Sequence, residues 1–434
     1  MTEIYDVAVV GAGMFGAAAA KYLSKNSARV AIIGPAEPQN KRTADVQRAF
    51  GAYYDQARIT RRLGWDDVWG TTDSRSLNRF RQIEDESGFP FFFEQGSLVL
   101  MAKSIAHRTS AILEQCATKG IPIKRTSEHI LAKEFPYLSF PNLADGTEGL
   151  YEEQMAGYLN PRKLVQAQLT IAQKNDALLY RGTIAGVQKE KNGNLWNLHV
   201  VQSDKIKQIR AQRVLITTGA FTNYSQVLPT DCKLDISVFT EPNLMFEVST
   251  EDIQRLHDMP AIVIVDPNDV GNDNMSSYLL PPIKYPDGKS YIRIGPGMQP
   301  IVKQLFSLKD MRQWYIKQKI TQPQYSFLFE LLTKLLPDIK PVSIRQACCI
   351  IEKTPSHYPY IGQVNDDPSY HVAVGGNGHG ARGSDEIGRL AANLVLGNNW
   401  DFPIDQSIFS PRVISDEELQ NAQRQEIKPP FGLC

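Results

Sequence analysis

The N-terminal stretch "YDVAVVGAGMFGAAAAKYLSKNSARVAIIG" constrains this chain more than any other. An apolar run, a glycine turn, an alanine-rich segment and a second apolar run predict one strand–turn–helix–strand unit. Gly11, Gly13 and Gly16 stand as G-x-G-x-x-G at its turn. Glycines there permit a tight turn and let a pyrophosphate approach the helix N-terminus, whose free N–H groups and dipole favour anions. A strand before and a helix after are the context in which the pattern signals dinucleotide binding, and Met14 and Phe15 lie within the same loop. The acidic residue expected at the end of the second strand, to take an adenosine ribose, falls on Gly34, so Glu37 is the candidate for that role.

At 434 residues the chain exceeds one ordinary core, and two domains built from interleaved segments are expected. Lys plus Arg and Asp plus Glu are 47 each, which leaves no basic field for a phosphate backbone and argues against a nucleic-acid partner. The five cysteines are scattered and none has the two-residue spacing of a zinc or redox pair, so no metal is expected and a reducing compartment fits. The acidic start "MTEIYDVAVVGAG" differs from a signal peptide, and no apolar run approaches the roughly 20 residues that span a bilayer. A cytoplasmic protein with no membrane partner is expected.

Further along, periodicity is poor from Pro35 to Ala57, which predicts a long loop. Helical patterns follow at Leu63 to Ser87, Ile105 to Lys119 and Pro161 to Lys174. Short strands break at Asn192-Gly193, a hairpin dipeptide, and end in a buried-looking strand from Arg213 to Thr217. From Asp235 to Arg345 strands separated by proline turns, with helices near Met311 to Thr321 and Tyr325 to Leu336, suggest a second domain. The strand in "YHVAVGGNGHG" then feeds a helix from about Ser384 to Leu396, followed by a polar tail.

The glycine fingerprint, "ITRR" after Ala57-Arg58, "YEEQMAGYLNPRKLVQAQ", "VLITTGAF", a cysteine followed by Thr354-Pro355, and "GGNGHGARGSDEIGRLAANL" occur in the order seen in flavin-dependent amine oxidases. The chain resembles the D-amino-acid-oxidase superfamily, most closely its sarcosine oxidase, N-methyltryptophan oxidase and pipecolate oxidase branch. The likeness is strong in the flavin-binding segments and faint from Asp235 to Met298. It implies an α/β fold in which a Rossmann-like, glutathione-reductase-like FAD-binding domain (1–88, 149–226 and 346–434 with the tail) is interleaved with an α+β substrate domain on a mostly antiparallel sheet (89–148 and 227–345).

The resemblance implies FAD as cofactor, contacted by Thr218 and Gly219 of "VLITTGAF" and by Gly378, His379 and Gly380. The N-terminus of the helix that follows would supply positive potential to the N1–C2 edge of a reduced flavin. His379 reads as a turn residue and not as a base. In relatives with G-D-T-R-I-x-R the first arginine lies against the flavin and the second holds the substrate carboxylate; "DQARITR" offers Arg58 and Arg61. Arg382 falls where relatives have a carboxylate-binding lysine, and forked guanidinium donors suit that anion. Tyr278 is a further substrate-side candidate.

Departures accompany these matches. Ile351 replaces a tyrosine that helps the carboxylate, Gly297 replaces a histidine, and Arg293 stands where a lysine assists oxygen activation. Arg293 keeps the positive charge beside a flavin, though its planar fork is bulkier and cannot release a proton near neutral pH. The losses at Ile351 and Gly297 argue against sarcosine and for a larger amine. Relatives attach the flavin covalently through a cysteine separated by four residues from Thr-Pro, so the resemblance implies Cys349 over Cys348 before Thr354-Pro355, and adjacent strand residues face opposite ways; packing cysteines are the alternative.

The expectation is a monomer that oxidises the C–N bond of a secondary amine or amino acid, N-alkyl or cyclic, to an imine, with oxygen reduced to hydrogen peroxide. A flavin dehydrogenase with another acceptor, a flavin-carrying subunit without amine chemistry, and an NAD-dependent dehydrogenase stay open beside it.

Overall fold

The computed structural model describes residues 3–39, 50–140, 146–191, 193–202, 205–230, 232–265, 276–297 and 302–423. Asn192, Met298, Cys434, the tail beyond 423, ten residues of the expected 35–57 loop and 266–275 of the proline-rich middle lie outside them.

The expected N-terminal unit forms as the strand Ile4–Val10, the helix Met14–Lys25 and the strand Val30–Ile33. The first sheet runs Thr183–Lys189, Trp196–Gln202, Lys205–Ile216, Ile4–Val10, Val30–Ile33, Leu178–Tyr180, and Asp367–Val374 joins it parallel to the end of Lys205–Ile216. The parallel strands around Ile4–Val10 are buried on both faces, which is why they read as continuous apolar runs. Helices Met14–Lys25, Pro161–Lys174 and Gly380–Leu396 cover one face through Ala17, Ala19, Leu169, Ile387 and Leu390.

The second sheet is largely antiparallel. Its order is Gln304–Leu305, Ser237–Glu247, Ser290–Pro296, Ser277–Lys284, Ala261–Val265, Ser97–Ala102, Thr147–Glu152, Lys124–Ser127, with Ser343–Lys353 paired along the whole of Ser237–Glu247. The helix Gln322–Leu335 packs on it through Leu328, Leu331 and Leu332. A small third sheet, Arg58–Thr60 with Gly157–Leu159 and Phe92–Glu94, fixes the segment that carries the candidate arginines.

Helix ends are set by caps more than by hydrophobic period. The first long helix starts at Asp67 and not Leu63, because Asp66 accepts the Trp69 N–H at 2.9 Å, and it stops at Gly88 in the left-handed region. Thr321, expected inside a helix, instead caps Gln322–Leu335 through a capping box with Gln324, so the preceding helix is Leu308–Lys317. The C-terminal helix begins at Gly380, four residues earlier than its apolar pattern indicates.

A buried charge network ties three helices together. Lys21 and Arg79 both pair with Asp385, and Arg79 also pairs with Glu386. Burial by itself would raise the Asp385 carboxyl, but these two cations hold it down to about 2.

Candidate active site

The two sheets face each other across a cavity of about 910 Å³, near the upper end of the roughly 300–1,000 Å³ that small-molecule sites occupy. One wall is the glycine turn. A Cβ at position 16 would lie 1.8 Å from the carbonyl oxygen of Gly11, so the helix approaches the strand closely only with glycine there. Thr217 Oγ1 donates to that carbonyl at 2.8 Å and locks the turn to the strand ending at Ile216. Gly11, Gly13, Met14 and Phe15 line the cavity, as do Thr218 and Gly219. Gly378, Gly380 and Ala381 bring a second helix N-terminus to it. Two positive helix ends therefore open on one space.

The opposite wall is a face of the second sheet. Strand residues alternate in direction, and register places Glu241 opposite Cys349 and Phe239 opposite Ile351. Glu241, Cys349 and Ile351 line the cavity, while Cys348 is 3% exposed and belongs to the core packed by Gln322–Leu335. Trp314 Nε1 donates to the Cys349 carbonyl at 2.6 Å and holds that strand. Burial, then the adjacent Cys349, pushes the Tyr315 phenol well up.

Arg293 and Tyr278 complete this wall. Arg293 is buried; it donates to Asn243 Oδ1, to Asp55 Oδ2 and to the Tyr278 hydroxyl, the last at 3.1 Å. Tyr278 in turn donates to Asn243 Oδ1 at 2.7 Å. Arg58 donates to the same Asp55 oxygen and to the carbonyls of Ala52 and Ala57, each at 2.7 Å, and its Nη2 lies 3.8 Å from Cys349 Sγ. Two guanidiniums sharing one carboxylate leave one net positive charge beside Cys349.

Sequence reading missed two acids in this cavity. Glu241 is 4% exposed, and neither carboxylate oxygen has a hydrogen bond of good geometry. Burial pushes its carboxyl up to about 8, against the pull of Tyr278, Lys353 and Arg58. Glu352 accepts the N–H groups of Gly375 and Gly376 at 2.8 and 3.0 Å through one oxygen, and burial raises it as well. The available signal was an acid interrupting an apolar strand, as in "SVFTEPNLMF".

Four residues expected at the site lie off the cavity lining. Glu37 does not line the cavity; it makes a two-pronged ion pair with Arg162, at 2.6 and 2.7 Å. The acid is displaced from position 34 because a Cβ there would lie 2.7 Å from Ala12. Arg382 is buried against Asp73 and lies 2.8 Å from His379 Nδ1, so it faces the interior and not the cavity. Arg61 is fully buried over the Trp65 ring, 5.0 Å from its centroid, and acts on the same Asp73. His379 packs on Trp69, with centroids 5.0 Å apart, and is not among the cavity-lining residues; burial and then Arg382 hold it well below the usual imidazole range.

The residues present fit a flavin dinucleotide: a cradle that side chains at Gly11 and Gly16 would fill, two helix N-termini, and a long cavity joining them to the second sheet. Among the described residues there is no cluster able to hold a metal ion, and no helix is long and apolar enough to cross a membrane.

A model of the FAD dependent oxidoreductase (DAO) family matches residues 6–394. The chain is 23% identical to the monomeric sarcosine oxidase of Streptomyces avermitilis over 95% of its own length and 98% of that protein. Among solved structures it resembles the open form of NikD, described as an unusual amino acid oxidase essential for nikkomycin biosynthesis, with a TM-score of 0.72, 18% identity, and 95% and 98% of the two chains covered. The L-proline dehydrogenase of P. horikoshii gives a TM-score of 0.72 at 18% identity, covering 94% and 97%.

Proposed function

The chain belongs to the FAD dependent oxidoreductase family, and from that premise we propose that it oxidises the C–N bond of a secondary amine or amino acid, N-alkyl or cyclic, to an imine, with oxygen reduced to hydrogen peroxide. In this reading it acts as a cytoplasmic monomer. Its flavin domain comprises 1–88, 149–226 and 346–434, and its substrate domain 89–148 and 227–345.

The observation that carries the reading is the convergence of a dinucleotide cradle, two helix N-termini and a basic sheet face on one cavity. Bound FAD supplies a two-electron acceptor for the hydrogen on the carbon next to nitrogen, and hands those electrons on. Gly11, Gly13 and Met14 would hold its pyrophosphate, and the N-terminus at Gly380 would favour negative charge on the ring. Arg58 and Arg293, with the single net charge left by Asp55, attract the anionic end of the substrate, and Tyr278 orients it. Cys349 is the residue for covalent attachment.

An anaerobic screen of N-alkyl and cyclic amino acids against the purified yellow protein tests this. Bleaching by one of them is expected; a colourless protein, or a flavin that none of them bleaches, would remove the proposal.

One observation favours a second reading, a dehydrogenase with a non-oxygen acceptor. The charge of Arg293 is offset by Asp55, which weakens its pull on developing superoxide. Stopped-flow mixing of reduced protein with oxygen separates the two: reoxidation within a second supports the oxidase, over minutes the dehydrogenase.

A further inference from the structure

The cavity wall holds a buried acid to which the chemistry above gives no part. We propose that Glu241 is the amine anchor of the substrate site: its carboxylate pairs with the ammonium nitrogen of the incoming substrate and takes one proton from it. This rests on the amine-oxidation reading and adds that the substrate arrives as a cation at nitrogen. The step balances simply: a secondary ammonium and a carboxylate become a neutral secondary amine and a carboxylic acid. One proton moves and nothing is oxidised.

Register and burial carry the argument. Glu241 stands directly across from Cys349 and points into the same cavity. It is 4% exposed, and both oxygens lack a hydrogen bond of good geometry. Burying a carboxylate without full compensation is costly, and buried polar groups are otherwise satisfied. A strand position of this kind is kept open for a ligand that completes it, and a cation with N–H donors is the complement.

The surrounding groups agree with that assignment. Tyr278, Arg293, Arg58, Lys353, Cys349 and Tyr315 are titratable or charged side chains around Glu241 or on the cavity it faces, which Arg181, Arg312, Glu352, Tyr53, Tyr54 and Tyr224 also line. Lys353 is occupied by the Asn377 carbonyl at 2.8 Å, and the two arginines share Asp55. Arg58 and Arg293 are assigned to the substrate's anionic end, and the acid Glu241 is left for its nitrogen. With its carboxyl pushed up by burial to about 8, it becomes the carboxylate that pairs with an ammonium as pH rises toward that value.

The test uses the flavin-loaded protein and the flavin's visible spectrum as a binding signal, without turnover. The probes are α-methylproline, which has no α-hydrogen; a second α-quaternary cyclic amino acid of lower basicity; and tetrahydrofuran-2-carboxylate, which has an ether in place of the amine. Between about pH 6 and 10 both amines should tighten by about tenfold per pH unit up to a break at one common pH, then level. The ether should lack the break. Glu241→Gln should abolish the break and weaken the amines at least about tenfold at high pH, leaving the ether within about threefold.

A break that moves with each amine's own basicity, no break in the wild type, an ether that binds where the amines do not, or a Gln variant that keeps the break would each overturn the assignment. The two-amine comparison needs only wild-type protein, so it decides even if the variant does not fold. Failure of every oxidisable amine to bleach the flavin would instead remove the amine-oxidation reading, and this inference with it.

Discussion

Arg293 and Asp55 form an ion pair in the wall of the cavity, and the oxygen that Arg293 reaches, Oδ2, also accepts from Arg58. The proposed oxygen reaction would give Arg293 a measurable part, which the charge of Asp55 offsets. Arg293→Met should slow reoxidation of the reduced flavin by about a hundredfold, the scale of losing one preorganised charge, while anaerobic reduction changes by less than about fivefold. Asp55→Asn removes the compensating charge and should leave reoxidation at least as fast as in the wild type. Equal losses in both half-reactions would show that Arg293 only supports the wall.

Arg382 yields the opposite kind of expectation. Its guanidinium is buried against Asp73, whose carboxyl burial raises to about 6 although Arg382 and Arg61 pull it down. Removing one partner of a buried pair costs on the order of 3–5 kcal/mol. Arg382→Ala should therefore lower the denaturant midpoint and flavin content, and Asp73→Asn in the same chain should recover part of the loss. A normal midpoint with only a raised KM would restore Arg382 to the substrate.

How far the sequence carried these residues differs by physical cause. The glycine turn was legible because Gly11 and Gly16 answer to backbone contacts made within one strand–helix unit. The separation of Cys348 from Cys349 was legible because strand alternation is local. The contacts of Glu37, Arg61 and Arg382 were not legible because their partners, Arg162, Trp65 and Asp73, meet them through tertiary contacts that no spacing displays. Glu241 was missed because its meaning depends on the register of Ser237–Glu247 against Ser343–Lys353, which pairs segments about a hundred residues apart.

The two cysteines separate cleanly in a denaturing experiment. If Cys349 carries the flavin, unfolding and gel filtration should leave the yellow colour on the wild-type chain and on Cys348→Ser, and release it from Cys349→Ser. Cys348 sits in the apolar core at 3% exposure, so its replacement by serine should instead cost about 1–3 kcal/mol for burying a hydroxyl. Colour leaving with the small molecules from the wild type would end the covalent assignment.

His371 sets part of the acid limit of the fold. It lies at 2% exposure on the strand Asp367–Val374, in register with Leu215, and burial, helped by Arg213, lowers its imidazole to about 4. The unfolded chain takes up this proton near the ordinary value of about 6.5, and the folded chain does not until near 4. Between those values the unfolded state binds more protons, so stability falls as pH falls. The full excursion is worth about 3 kcal/mol at about 1.4 per pH unit. His371→Leu removes this one term and leaves the other titrating groups in place. Urea unfolding of both proteins at about pH 7, 5.5 and 4.5 should show the variant gaining on the wild type by about 2 kcal/mol toward acid. Parallel stability curves would mean that the histidine is not held neutral in the fold.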